Sequence, residues 1–407
     1  MKKQKLRTGI VGSGFSASFH VEALRRVYGV EVEITGVYSP RREHREAFGK
    51  KNEIKVAETL EELIDKSDVV HICVPPAAHE PVAVQALESD KTVIIEKPFT
   101  GYFGPAAGEA GTAVGTESAE KSNFSGDTFP REQGLEAALA SIRRLLSAEQ
   151  RSKGQIFYAE NWVYAPAVQK EREIIEKTGA QILWMHGEES HSGSHSQYYG
   201  IWSHSGGGSM IGKGVHPLTA ALYLKKVEGR MRGGGAIRPQ SVSARTHAIT
   251  RSENFIDKGH QRTTYTDIED FAAIHVVFED GTFADIFASE LVLGGVHNWI
   301  EVSANNHRGI CNINPNTAFQ TYNPKDEYFN DIYVVEKTGT KQGWAYTSPD
   351  EDWFTGYQHE MEAFYRAAAE GQPVEADSML AADTIAVVYA GYLSAERKGA
   401  EVEVTRV

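Results

Sequence analysis

The 407-residue chain has only two cysteines, Cys73 and Cys311, each set in an apolar, strand-like stretch. Two thiols cannot build a disulfide framework or a thiolate zinc site, and both read as inert core groups. No run of sequence approaches the roughly 20 apolar residues that a membrane-spanning helix needs. Positive charge is short as well: 42 Lys and Arg against 55 Asp and Glu leave a formal net charge of −13. That balance opposes phosphate backbones and anionic lipid, so neither nucleic acid nor membrane is an expected partner. A small, neutral or weakly charged substrate fits better. The start, "MKKQKLRTGIVGSG", is basic, but its short apolar run leads into a glycine loop instead of a cleavage site, and a cytoplasmic protein is expected.

What is present is ordinary for a globular chain: 41% apolar and 24% charged residues. The length exceeds what one core usually fills, so two domains are expected, residues 1–160 and 161–407. In the first, apolar runs at 6–11, "VEVEITGVYS", "SDVVHICVPP" and "KTVIIEKP" alternate with helical spacing, the pattern of a doubly wound α/β sheet. Residues 101–133 turn to Gly, Ala, Ser and Thr and read as an inserted loop with little surface to bury. Helical spacing follows at 135–146 and 165–177. Beyond Gly179 long alternating strands predict an α/β domain on an antiparallel sheet, with a hairpin at Asp280-Gly281, two C-terminal helices at 353–370 and 378–396, and a closing strand.

"GIVGSGFSASFH" carries Gly12, Gly14 and Ala17 in G-x-G-x-x-A spacing between a strand and a helix. There the first glycine makes the turn and the second lets the backbone approach a pyrophosphate at the helix N-terminus. After the second strand stand Ser39, Arg41 and Arg42 where an NAD site would show an acidic residue. Hydroxyl plus guanidinium favours a 2′-phosphate and hence NADP over NAD, although both arginines could equally cap and solvate the next helix. "EKPF" ends a buried strand at the sheet edge where such folds bind ligands, and "VPPAAH" ends the strand before it. The G-x-x-x-x-G-K spacing from Gly207 to Lys213 fits a phosphate loop but has Gly214 where a Ser or Thr must ligate magnesium.

From Gly9 to about Pro98 the chain resembles the glucose-fructose oxidoreductase / inositol dehydrogenase / MocA-like (Gfo/Idh/MocA) family. The likeness continues through "AENWVYAPAVQKEREII", "GGGSMIGKGVHPLTAALYLK" and the C-terminal "YQHEMEAFYRAAAEGQPVEADSMLAADTIAVVYAGYLSA". The resemblance implies a Rossmann domain and a second domain whose large open antiparallel sheet commonly mediates oligomerisation, here a dimer or tetramer. It also implies hydride transfer between a nicotinamide and a secondary alcohol of a sugar, glycoside or cyclitol. Lys97 matches the family's E-K-P lysine, and His216 the histidine ending its D-x-G-x-H motif, usually the proton acceptor. The cofactor set read from these segments is Gly12, Gly14, Phe15, Ser16, Ser39, Arg41 and Arg42, with Pro75, Pro76, His79, Glu96, Lys97 and Trp162.

The chemistry supports the pair independently. Oxidising a carbinol needs a base at the hydroxyl, and histidine titrates near neutrality; an ammonium stabilises the developing alkoxide. One departure stands out: Gly212 replaces the family's aspartate four residues before His216. The orienting carboxylate is missing, and Lys97 could take more of the proton transfer. Lys213 either contacts substrate or snorkels to solvent. Residues 185–204 hold His186, His191, His195 and His204 with Glu188 and Glu189, but their spacing matches no compact zinc pattern. His191, His195 and Trp202 are read as substrate-lining, with His297 and Trp299 as further candidates, and no metal is expected. Two other functions compete: a glycosidase that uses bound NAD through oxidation and elimination, and a non-catalytic dinucleotide sensor.

Overall fold

The structure is a computed structural model and describes residues 3–105, 124–194, 196, 199–314, 319–334 and 339–407. Five parallel strands form the first sheet: β1 (Lys5–Val11), β2 (Glu31–Tyr38), β3 (Val69–Ile72), β4 (Thr92–Glu96) and β5 (Ile156–Ala159), in the order β2-β1-β3-β4-β5. An isolated parallel bridge from Val37 to Val56 adds a sixth position outside β2, completing the strand order of dinucleotide-binding sheets. The apolar runs form these strands because both faces are covered: every residue of β3 and β5 is buried. The topology reverses between β1 and β3, which opens a crevice at their carboxyl ends.

The second sheet has seven strands: β6 (Ile182–Ser190), β7 (Pro239–His247), β8 (Phe271–Phe278), β9 (Phe283–Ser289), β10 (His297–Ala304), β11 (Arg308–Asn312) and, after a small hairpin of β12 (Gln320–Asn323) and β13 (Gly343–Tyr346), β14 (Val402–Glu403). Their order is β11-β10-β6-β9-β8-β7-β14. The sheet is the expected large open one, mostly antiparallel, but it is mixed: β6 and β9 run parallel, with Trp184 opposite Phe283 and Ser190 opposite Ser289. Both strands therefore end at the same edge. The Asp280-Gly281 hairpin joins β8 to β9, with Gly281 at φ 78°.

Two helices cover one face of this sheet, Val215–Met231 and Ser378–Glu396. Against the reading of the sequence, Ser378–Glu396 is long and apolar enough to cross a bilayer, but 83% of its apolar 18-residue window is buried inside the protein, between β7 and helix Arg131–Arg151. The 101–133 segment also needs correcting at its ends. Tyr102, Phe103 and Phe129 are buried, Phe124 packs 5.6 Å from Tyr102, and the Tyr102 carbonyl accepts the Trp202 indole N–H at 2.9 Å. An average over the segment concealed four aromatics at its two ends.

Candidate active site

Gly12 has φ 120°, and a Cβ there would lie 2.2 Å from the Cys73 carbonyl oxygen, so only glycine lets β1 turn this close to β3. A Cβ on Gly14 would meet nothing within 4 Å. Helix Phe15–Leu24 begins there with no side-chain cap, leaving first-turn amides for an anion. These features fit a dinucleotide pyrophosphate. Phe15 is exposed and Ser16 half-buried beside this opening.

At the end of β2, Ser39 is buried and Arg41 and Arg42 are exposed, Arg42 pairing with Glu46 at 2.7 Å. A neighbour that the motif did not flag, Arg45, is buried, donating to the Ser39 carbonyl at 3.1 Å and to Glu58 at 2.9 Å. Pro75 and Pro76 lead from β3 into a short turn, Pro76–Ala78. His79, expected at the cofactor, is fully buried. Its ring nitrogens lie 2.9 Å from the Pro98 carbonyl and 3.0 Å from that of Val74, tying the loop after β3 to the loop after β4.

Glu96 and Lys97 leave β4 together. Glu96 accepts from His20 at 2.8 Å and from the Lys97 amide at 3.0 Å. Burial works to raise its pKa, but the His20 hydrogen bond and charge hold it below the usual carboxylate range. Lys97 Nζ donates to the Gly212 carbonyl at 2.7 Å, so the two segments singled out in the sequence meet.

His216 sits in the first turn of helix Val215–Met231, 6% exposed, and stacks on Trp162 with centroids 5.8 Å apart. Trp162, expected at the cofactor, thus packs on the histidine. The carboxylate missing at Gly212 arrives from elsewhere: His216 Nδ1 is 2.5 Å from Oε1 of Glu160, the residue that follows β5. A Cβ at Gly212 would lie 2.4 Å from the Tyr199 hydroxyl, so Tyr199 fills the space an aspartate side chain would need. No sequence spacing signals this exchange, because Glu160, Tyr199 and Gly212 meet only in the fold.

On the far side of the ring, Glu189 Oε2 lies 3.7 Å from His216 Nε2. Burial pushes this carboxyl up, against the pull of His216, Lys97 and Lys213. Lys213 does not snorkel: it is 3% exposed and paired with Glu290, which also accepts from the Tyr265 hydroxyl at 3.1 Å. Burial draws the Lys213 pKa below the usual lysine range. Glu290 follows β9 and Glu189 is near the end of β6, so the parallel β6/β9 pair delivers both carboxylates to one edge.

The other residues singled out in the sequence divide. His191 borders this cluster, with Nδ1 3.9 Å from Glu290, whereas His195 lies outside the described residues. Trp202 is corrected from substrate-lining to core: it is 1% exposed, between Phe129 and Tyr392, under the Arg131 guanidinium. His186 and Trp299 pack together on the sheet face opposite the helices, away from Glu189, because strand side chains alternate. Among the described residues no group of three or more His, Cys, Asp or Glu could hold a metal ion. The glycine-rich run cradles an anion after all, but an internal one: Gly208 and Met210 amides donate to the Glu269 carboxylate at 3.0 and 2.9 Å.

Comparison with known proteins agrees with this architecture. Residues 6–114 match the model of a family described as oxidoreductase, NAD-binding Rossmann fold. Glucose-6-phosphate 3-dehydrogenase of Bacillus subtilis (strain 168) is 36% identical over 93 residues, 23% of this chain and 26% of that protein. Inositol 2-dehydrogenase 4 of Saccharopolyspora erythraea is 33% identical over 103 residues, 25% of this chain and 30% of that one. The match thus spans under a third of these relatives. Over nearly the whole chain, the solved structure of GenD2 from gentamicin A biosynthesis in complex with NAD shares the fold, with TM-score 0.75 at 20% identity and coverage of 99% of this chain and 97% of that one. Scyllo-inositol dehydrogenase from Lactobacillus casei gives 0.70 at 13% identity, covering 99% of both chains.

Proposed function

We infer from residues 6–114, which belong to the oxidoreductase family with an NAD-binding Rossmann fold, that the protein is an NAD(P)-dependent dehydrogenase acting on a secondary hydroxyl of a sugar, glycoside or cyclitol. Residues 1–160 carry the dinucleotide in this reading, and 161–407 the substrate. The observation that carries it is the convergence of Lys97 on Gly212, beside a histidine held at Nδ1 by Glu160. A bound nicotinamide supplies the hydride acceptor. Glu160 fixes the Nδ1–H tautomer, which leaves Nε2 to take the hydroxyl proton. Lys97 donates to the oxygen as charge develops on it. Glu160 also removes the main reason for the sensor reading, which rested on a histidine without an orienting carboxylate.

The exposed Arg41 and Arg42 support NADP. The test is to denature the purified protein, identify any released dinucleotide by mass, and screen a sugar and cyclitol panel for NAD(P)H formation. NAD(P)H from at least one polyol is the expected result. Nitrophenol release from a nitrophenyl glycoside without NAD(P)H would replace the dehydrogenase by the NAD-dependent glycosidase.

The uncovered face of the seven-stranded sheet supports a homo-oligomer. Trp184 stacks near Phe283, His186 contacts Phe287 and Trp299, and Ile310 is 60% exposed. Light scattering on the eluting protein should read a dimer or tetramer; a monomer at micromolar concentration would refute the assignment.

A further inference from the structure

Buried polar atoms without a hydrogen-bond partner among the described residues gather around the start of the His216 helix: Glu189 Oε2, Glu160 Oε2 and the Tyr199 hydroxyl. Such groups are costly unless something satisfies them. Glu189 is the informative one. It is 9% exposed, and its unpartnered oxygen is the one 3.7 Å from His216 Nε2, too far for a hydrogen bond. With Nδ1–H given to Glu160, Nε2 is an acceptor too. Two acceptors therefore face one space, and each needs a donor.

The neighbouring cations are already engaged: Lys213 pairs with Glu290, and Lys97 donates to the Gly212 carbonyl. Among the described residues the cations acting on Glu189 are these two lysines, each shared with another acceptor, and Glu160 adds a second negative charge, so a further anion there is opposed. A single hydroxyl can satisfy only one of the two acceptors. Two donors on adjacent carbons satisfy both, the reacting hydroxyl at Nε2 and its neighbour at Glu189.

We propose that Glu189 is a specificity-determining residue that accepts a hydrogen bond from a hydroxyl or amine on the carbon next to the one oxidised. The substrate is then a vicinal diol or vicinal amino alcohol with no acidic group at that neighbouring carbon. This rests on the dehydrogenase reading for the role of His216, so binding and turnover are measured separately.

The probes are myo-inositol and methyl α-glucopyranoside, their monodeoxy derivatives and methyl 2-amino-2-deoxyglucopyranoside. Calorimetry follows their binding to wild type and E189Q in excess NAD(P)+. In wild type, the derivative lacking the neighbouring hydroxyl should bind about tenfold or more weaker than its parent. E189Q should lose about tenfold on the parent and stop distinguishing the two. If the donor is an amine, the amino sugar binds wild type tightest and suffers most in E189Q. Equal binding of parent and all deoxy derivatives by wild type overturns the proposal, as does failure of every probe to bind or an equal loss on both ligands in E189Q. The wild-type comparison decides even if E189Q does not fold. Discriminating binding without NAD(P)H would uphold Glu189 and sink the dehydrogenase instead.

Discussion

His216→Asn is expected to lower kcat about a hundred to ten-thousand-fold, the usual contribution of a positioned general base. KM and dinucleotide affinity should change little, because the loss falls on proton transfer and not on binding. The companion measurement separates chemistry from packing. Glu160 acts through the imidazole, holding Nδ1 at 2.5 Å. Glu160→Gln should therefore lower kcat in the wild-type background and add almost nothing to His216→Asn, since residues acting as a unit are non-additive. A merely structural carboxylate would instead give additive losses. Steady-state rates of the three variants, with circular dichroism as a check on folding, decide the matter, and a loss under threefold for His216→Asn removes the base assignment.

Lys97→Met should reduce kcat by about a hundred to a thousand-fold, the cost of removing one preorganised donor from a developing oxyanion. Methionine preserves much of the chain length and apolar contact, so the change isolates the ammonium. Arginine should not rescue it. The Lys97 head reaches one carbonyl, Gly212, at 2.7 Å in a half-buried position, and a planar guanidinium with five donors does not fit a site built for a compact charge. Rates within threefold of wild type for Lys97→Met, measured on the best substrate of the panel, would show that another group supplies the positive charge.

Much of the first sheet was legible because its signals are local. Continuous apolar runs can be buried only between two layers, and Gly12 and Gly14 mark a turn where backbone must approach backbone or ligand. Lys97 and His216 were legible through motifs. Their immediate partners were not: Glu160 comes 56 positions before His216, and Tyr199 stands where a Cβ of Gly212 would be. The glycine-rich run shows the same limit: its spacing fails as a phosphate loop, and the carboxylate its amides do hold, Glu269, lies 61 positions from Gly208.

Neighbours on a strand such as Glu188 and Glu189 face opposite ways, and nothing in the sequence says which of them faces the cleft. The packing of helix Val215–Met231 on one face settled that, setting Glu189 beside His216, while the parallel pairing with β9 brought Glu290 to the same edge for Lys213. Trp202 misled for a related reason: an aromatic in a polar, histidine-rich stretch looks available to a ligand until the buried ends of the 101–133 segment close over it. By itself the sequence determined the strand pattern and the glycine turn after β1, and it singled out Lys97 and His216, because each is written in periodicity or a short motif. Only the tertiary structure decided which carboxylate holds His216 Nδ1, which one lies across the ring near Nε2 and which lysine is paired with a buried carboxylate. Those are electrostatic choices between groups far apart in the chain, made by strand register and by the space that a glycine leaves open.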